Sequence, residues 1–162
     1  YKRQGDSLLP VLAVANSLLG LAVVAIIFVF VRKLAPGDRL RPALAAGLIL
    51  FLPVHLYMSP MMGEEILLCL LVTGALAWAA WRLPEPPSAR DVVGIGLLCG
   101  LALLTKLSGL LVVGAVALTW ALGARARSGW PAAVAPTALL GIAVLCAGGW
   151  FYAYSWLTYG CL

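Results

Sequence analysis

Acid is what this sequence has least of. Its 162 residues include six Asp and Glu, against eleven Lys and Arg and a single His. Charged residues make up 10% of the chain and hydrophobic ones 64%, with a mean hydropathy of +1.05. A soluble domain carries roughly 25% charge and about 45–50% apolar residues, so this balance excludes an ordinary water-soluble core. The four cysteines show no CxxC or Cys/His spacing, which argues against a metal module. Cys69, Cys99 and Cys146 fall in apolar runs, where a free thiol behaves as a small hydrophobe; Cys161 lies nearer a surface, and no disulfide is expected. The start lacks the pattern of a cleavable signal peptide. Nor does the net charge of +5 form a nucleic-acid patch, because the basic residues are dispersed between apolar runs.

What is present is a succession of apolar stretches, measured against a hydrocarbon core about 30 Å thick. They cover approximately residues 8–31, 43–58, 64–81, 92–104, 110–122 and 132–151. This predicts an all-α, polytopic transmembrane helical bundle of about six spans in a single domain, residues 1–162. Arg32, Lys33, Arg39 and Arg41 surround Pro36-Gly37-Asp38; Arg82 and Arg90 flank a proline-rich loop with Pro84, Pro86 and Pro87; Arg125 and Arg127 form a third basic loop. By the positive-inside rule these loops are cytoplasmic, which puts the N-terminus, Glu64, Glu65 and Lys106 on the outer side. Pro53 predicts a kink or an early helix end. Trp78 and Trp81, Trp120 and Trp130, and the aromatics from Trp150 to Tyr159 read as interfacial belts. Met58, Met61 and Met62 read as lipid-facing.

Residues 91–122 would make one helix about 48 Å long at 1.5 Å per residue, needing a tilt near 50°, beyond the usual range of roughly 0–40°. Two helices joined by Thr105-Lys106-Leu107-Ser108-Gly109 fit better. Both are short for a span, so the turn between them is expected to be recessed, with Lys106 at a cavity or its rim. Gly96 and Gly100 form a small-xxx-small pair that permits close helix packing.

The stretch from His55 to Ile66 places Glu64 and Glu65 beside the breakers Ser59-Pro60 and Gly63, between two apolar runs. Carboxylates held together in a recessed site can do acid/base work, since a neighbouring like charge and burial raise the pKa of one of them. Adjacent helical residues point about 100° apart, so one of the pair faces any given point; Glu64, nearer the turn, is the marginally favoured one. Lys106 would serve as a point charge on a phosphate oxygen. A plain structural role is open to the same residues. Acids at a helix start interact favourably with its dipole, and a lysine at a membrane turn can extend to headgroups. His55 reads more readily as a packed or interfacial residue than as a ligand, and no metal site is expected at it.

The Pro/Ser turn before an acid pair, then Gly-Leu-Leu-Cys-Gly-Leu-Ala-Leu-Leu-Thr-Lys-Leu-Ser-Gly (96 to 109) with its Thr-Lys about forty residues beyond the acids, then Gly-Trp-Phe-Tyr (149 to 152) and Tyr-Gly (159 to 160), resembles the GT-C glycosyltransferases. The likeness is to those that use polyprenyl-phosphate sugars, in the protein mannosyltransferase and aminoarabinose transferase branch (glycosyltransferase family 39). It implies a multi-pass enzyme of the bacterial inner membrane that transfers a sugar from a polyprenyl-phosphate donor to a protein, lipid or glycan acceptor on the outer face, with no nucleic-acid partner. Carried over residue by residue, the resemblance makes Glu64 or Glu65 the acid lining the active site and Lys106 the partner of the lipid phosphate. His55, Tyr57 and Ser108 are assigned to the cavity lining. No cofactor is required by this reading, although Glu64 and Glu65 could orient a divalent cation as well as the acceptor or the sugar.

Two departures accompany the likeness. The family's principal catalytic acid lies in a first outer loop for which this sequence has no counterpart, so the chain is expected to be an internal fragment lacking it. The family's later segment often reads Arg-Asn and ends Tyr-Gly-Asp, where this chain has Tyr154-Ser155 and Tyr159-Gly160-Cys161. The rival readings are a piece of a secondary transporter, which predicts an inverted repeat that the sequence does not display, and a non-catalytic membrane scaffold.

Overall fold

A computed structural model describes residues 2–61, 63–86 and 88–160, with side chains from Leu8 onward. Met62, Pro87 and Cys161 therefore lie outside the described residues. All regular elements among the described residues are helical. Four helical stretches are long and apolar enough to cross a membrane: 8–34, 65–82, 109–128 and 130–159. Little of each is buried inside the protein, 11% of the best apolar window in the first and 28% in the last. Side chains such as Leu18, Leu118 and Leu157 are left outward. An apolar surface of this extent belongs in lipid, and the chain is an integral membrane protein. The chain forms two compact units, residues 1–73 and 74–162, which are described in turn.

In the first unit, α1 (Lys2–Leu34) ends at its basic pair Arg32 and Lys33, where cations suit the helix dipole. Gly37 turns the chain at φ 96°, a backbone that favours glycine. Asp38 then accepts hydrogen bonds from the backbone N–H groups of Leu40 (2.9 Å) and Arg41 (3.1 Å) and starts α2 (Leu40–Leu50), which packs on α1. Those two backbone hydrogen bonds hold the Asp38 carboxyl below its ordinary range.

The stretch expected as one span over 43–58 is two helices. Leu52 is extended (φ −64°, ψ 122°), the conformation that a following proline imposes. Pro53 then occupies the first turn of α3 (Pro53–Met58), where its missing N–H costs nothing. Asn16 donates through Nδ2 to the Met61 carbonyl at 2.5 Å, tying α1 to the turn after α3. One helical turn along α1, a side chain on Gly20 would collide with Ser59, so this glycine lets the same turn lie close. The only polar interior of the first apolar run therefore has a purpose in placing the turn that precedes Glu64.

The second unit contains the C-terminal part of α4 (Glu65–Arg82), α5 (Ala89–Thr105), α6 (Gly109–Ser128), α7 (Trp130–Val144), a π-helical turn (Leu145–Gly149) and α8 (Trp150–Tyr159). Helices α5, α6 and α7 pack on one another in pairs, around a core that includes Ile95, Cys99, Val116, Trp120, Leu140 and Val144. Glycines set the approach of α5 and α7. A Cβ on Gly96 would lie 2.6 Å from that of Ala143, and one on Gly100 would lie 2.5 Å from that of Ala147.

The aromatic belts differ from the sequence expectation at Trp120. It is 5% exposed, and its indole N–H donates to the Ala79 carbonyl at 3.3 Å, so it belongs to the core. Trp130 is exposed, with the Arg125 guanidinium 4.6 Å over its ring. The final helical run continues through the π-helical turn to Tyr159 instead of ending near residue 151.

Candidate functional site

Helix α4 begins at Glu65, one residue later than expected. Glu64 occupies the turn before it, where its carbonyl accepts from the Leu68 N–H at 2.9 Å. Glu65 lines a cavity of about 360 Å³ in the first unit, together with Val23, Ile27, His55, Met58, Cys69 and Thr73. Glu65, and not the favoured Glu64, is the acid on that wall. His55 also borders a smaller cavity of about 270 Å³ beside Ser17, Gly20 and Ser59. Tyr57 is 65% exposed; two residues from His55, it projects about 200° around the helix and away from these cavities. Met58, expected to face lipid, is instead part of the cavity wall, whereas Met61 is exposed. The larger cavity is apolar apart from His55, Glu65, Cys69 and Thr73, a composition suited to a hydrocarbon group with one polar end.

In the second unit the chain breaks between α5 and α6 at Lys106-Leu107-Ser108. Lys106 is extended (φ −158°, ψ 141°); its N–H donates to the Ala102 carbonyl at 3.1 Å and its carbonyl accepts from the Gly109 N–H at 2.9 Å. Lys106 is half-buried and Ser108 exposed, and both are fixed by the same short link. The start of α6 fits against the end of α5 through Gly109, where a Cβ would lie 2.6 Å from the Ala102 carbonyl carbon. The hydroxyl of Tyr152, on α8, donates to the Leu103 carbonyl at 2.7 Å. Reading the aromatics 150–159 only as interface anchors missed this residue.

A second polar group was missed between α4 and α5. Ser88 caps α5, accepting from the Asp91 N–H at 3.1 Å while its hydroxyl donates to Asp91 Oδ2 at 2.6 Å. The Trp78 indole N–H donates to Asp91 Oδ1 at 3.1 Å, and Arg82 Nε lies 3.3 Å from the same oxygen, an ion pair without hydrogen-bond alignment. The Ser-x-x-Asp spacing was a readable capping pattern; the tryptophan that completes the set was not. Asp91 is 7% exposed and sits ahead of the apolar run that starts at Val92.

The Ser88 hydrogen bond, foremost, and then those from Trp78 and the charges of Arg82 and Arg90 hold its carboxyl below the ordinary value of 3.8, against the effect of burial. A depressed carboxyl stabilises the fold fully above that ordinary value and loses this contribution as pH falls through the lower folded value. The stability gap between the wild type and Asp91→Asn in detergent is therefore expected to be constant above pH 3.8 and to narrow below it. A gap that does not change with pH would contradict this assignment.

Among the described residues, no group of three or more His, Cys, Asp and Glu gathers to hold a metal ion. Glu64 and Glu65 by themselves are therefore too few ligands for a divalent cation. Comparison with family models, with curated proteins and with solved structures finds no match for this chain.

Proposed function

We propose that this chain belongs to the membrane domain of a GT-C-type glycosyltransferase of the bacterial inner membrane, which passes a sugar from a polyprenyl phosphate to an acceptor on the outer face. In this reading the pair α2 and α3 forms one crossing and α5 another, which with the four long helical stretches makes six. At about 1.5 Å per residue, the apolar part of α5 from Val92 to Thr105 extends roughly 21 Å. That is short of a full hydrocarbon core, so its Lys106 end is recessed.

The observation that carries the reading is the interruption at Lys106, a cationic residue set in extended backbone between two apolar helices. Irregular backbone at membrane depth is tolerated where protein buries it or water lines it. An ammonium there marks a place for an anion. In the reaction, an acceptor hydroxyl attacks the anomeric carbon and the bond from that carbon to the phosphate oxygen breaks. The polyprenyl phosphate leaves with the electron pair, and the acceptor's proton passes to a carboxylate that acts as general base. Lys106 stabilises the charge that gathers on the phosphate. The resemblance gives Glu64 or Glu65 the task of orienting the acceptor or the sugar, and of the two it is Glu65 that lines the apolar cavity of the first unit.

Replacing Lys106 with alanine in the full-length protein is expected to raise the KM for a polyprenyl-phosphate sugar roughly tenfold, the effect of losing one charge-assisted contact. An unchanged KM would remove Lys106 from the site. Absence of transfer by the wild type from any polyprenyl-phosphate sugar would remove the reading itself and favour the transporter, whose substrate sites also lie at broken helices.

A further inference from the structure

We infer that Tyr152 is a positioning residue for Lys106, brought to the end of α5 by the π-helical turn. Helix α5 ends at Thr105, so the carbonyls of residues 102–105 are the four that the helix itself leaves without partners. The Lys106 N–H takes the first, and the Tyr152 hydroxyl, 49 residues away in sequence, takes the second. A helix end held at both carbonyls has one exit direction, and that direction is where Lys106 starts. The Lys106 carbonyl in turn receives the N–H of Gly109, which opens α6. The tyrosine hydroxyl thus fixes the near end of the link that carries Lys106.

The register of α7 shows why a π-helical turn is needed. Leu140, Ala143, Val144 and Ala147 face α5, with Leu140, Ala143 and Val144 meeting Gly96 or Gly100. Continued at α-helical spacing from Ala147, the next residue on this face is Phe151. Instead the bond from the Trp150 N–H to the Leu145 carbonyl spans five residues. One residue is inserted, and everything beyond it rotates by about 100°. Gly148 then meets the Gly100 carbonyl and the Leu104 nitrogen, and Tyr152, four residues further, meets the Leu103 carbonyl. Phe151 is left 43% exposed, edge-on to the Tyr152 ring at 5.6 Å. Gly148 allows the widened turn to lie against α5, since a side chain there would strike backbone.

This inference rests on the proposed function only for its catalytic consequence; its geometric part is tested separately. Hydrogen exchange of the full-length protein in lipid nanodiscs, read by mass spectrometry, compares the wild type with Tyr152→Phe, which removes one oxygen and keeps the ring. Backbone amides in 103–110 are expected to exchange about two- to tenfold faster, the factor that one net hydrogen bond represents. Those in 75–99 should keep their rates. Unchanged rates in 103–110, or equal acceleration in both segments, would overturn the inference, the latter because it marks general loosening. Phe151→Leu, altering the exposed neighbour, should leave both segments as they are.

In the transfer assay, Tyr152→Phe should raise the donor KM by less than Lys106→Ala does, and should add nothing in the Lys106→Ala background. A further increase in that background would show that Tyr152 acts elsewhere than through Lys106. Should Lys106→Ala itself leave the donor KM unchanged, the functional reading fails while the exchange experiment still decides the positioning role.

Discussion

Gly148→Ala is expected to destabilise the second unit by about 3 kcal/mol, at the upper end of the usual cost of overpacking. The magnitude follows from what the added methyl group would meet. Its three nearest atoms are the oxygen and carbon of the Gly100 carbonyl and the backbone nitrogen of Leu104, and none of these can swing aside as a side chain does. Relief requires α5 and the π-helical turn to separate. That would also open the Gly96 and Gly100 contacts with α7 and lengthen the Tyr152 hydrogen bond. Alanine gains about 0.5–1 kcal/mol over glycine from helix preference, which offsets only part of the clash.

Gly141→Ala is the matched control. It lies on α7 with nothing within 4 Å of the new methyl group, so it should be neutral or stabilising by up to about 1 kcal/mol. Unfolding in mixed micelles monitored by circular dichroism reads both variants. Equal stability of Gly148→Ala and the wild type would sink the close-packing account. In lipid the result has added weight, because helix association there depends on packing and hydrogen bonding more than on escape from water.

How far such features can be read from sequence depends on whether they are written in composition or in register. Residues 105–109 announce their break, because a lysine and a glycine interrupt an apolar run too long for one crossing, and α5 ends at Thr105. Pro53 announces the division of α2 from α3 in the same way, since proline cannot donate the hydrogen bond that a continuing helix requires. The π-helical turn is different. It inserts one residue into a helix without changing its composition, and the shift shows only in three dimensions, in the Trp150 to Leu145 bond and the contacts of Gly148 and Tyr152 with α5. The acid pair has the same difficulty on a smaller scale: one residue of uncertainty in the start of α4 decides whether Glu64 or Glu65 reaches the cavity. Trp120 and Trp130 both stand at the end of an apolar run near arginines. Their sequence surroundings are alike, and only the helices packed around each separate a core residue from a belt residue.

Trp120 therefore offers the second large effect. Trp120→Ala is expected to lower stability by about 3 kcal/mol, the low end of the range for removing a buried tryptophan. The low end applies because the apolar transfer term is small where lipid replaces water as the alternative surroundings. What remains is the cavity left among Ala79, Val116 and their neighbours in the core, with the Ala79 carbonyl losing the indole N–H. Trp120→Phe separates the two contributions, since it keeps much of the volume and removes only the donor. It should cost about 1 kcal/mol, the value of one net hydrogen bond. Trp130→Ala, on an exposed ring, should cost less than either. If Trp120→Ala and Trp130→Ala unfold at the same temperature, Trp120 is a belt residue after all and its place in the core beside Ala79 is wrong.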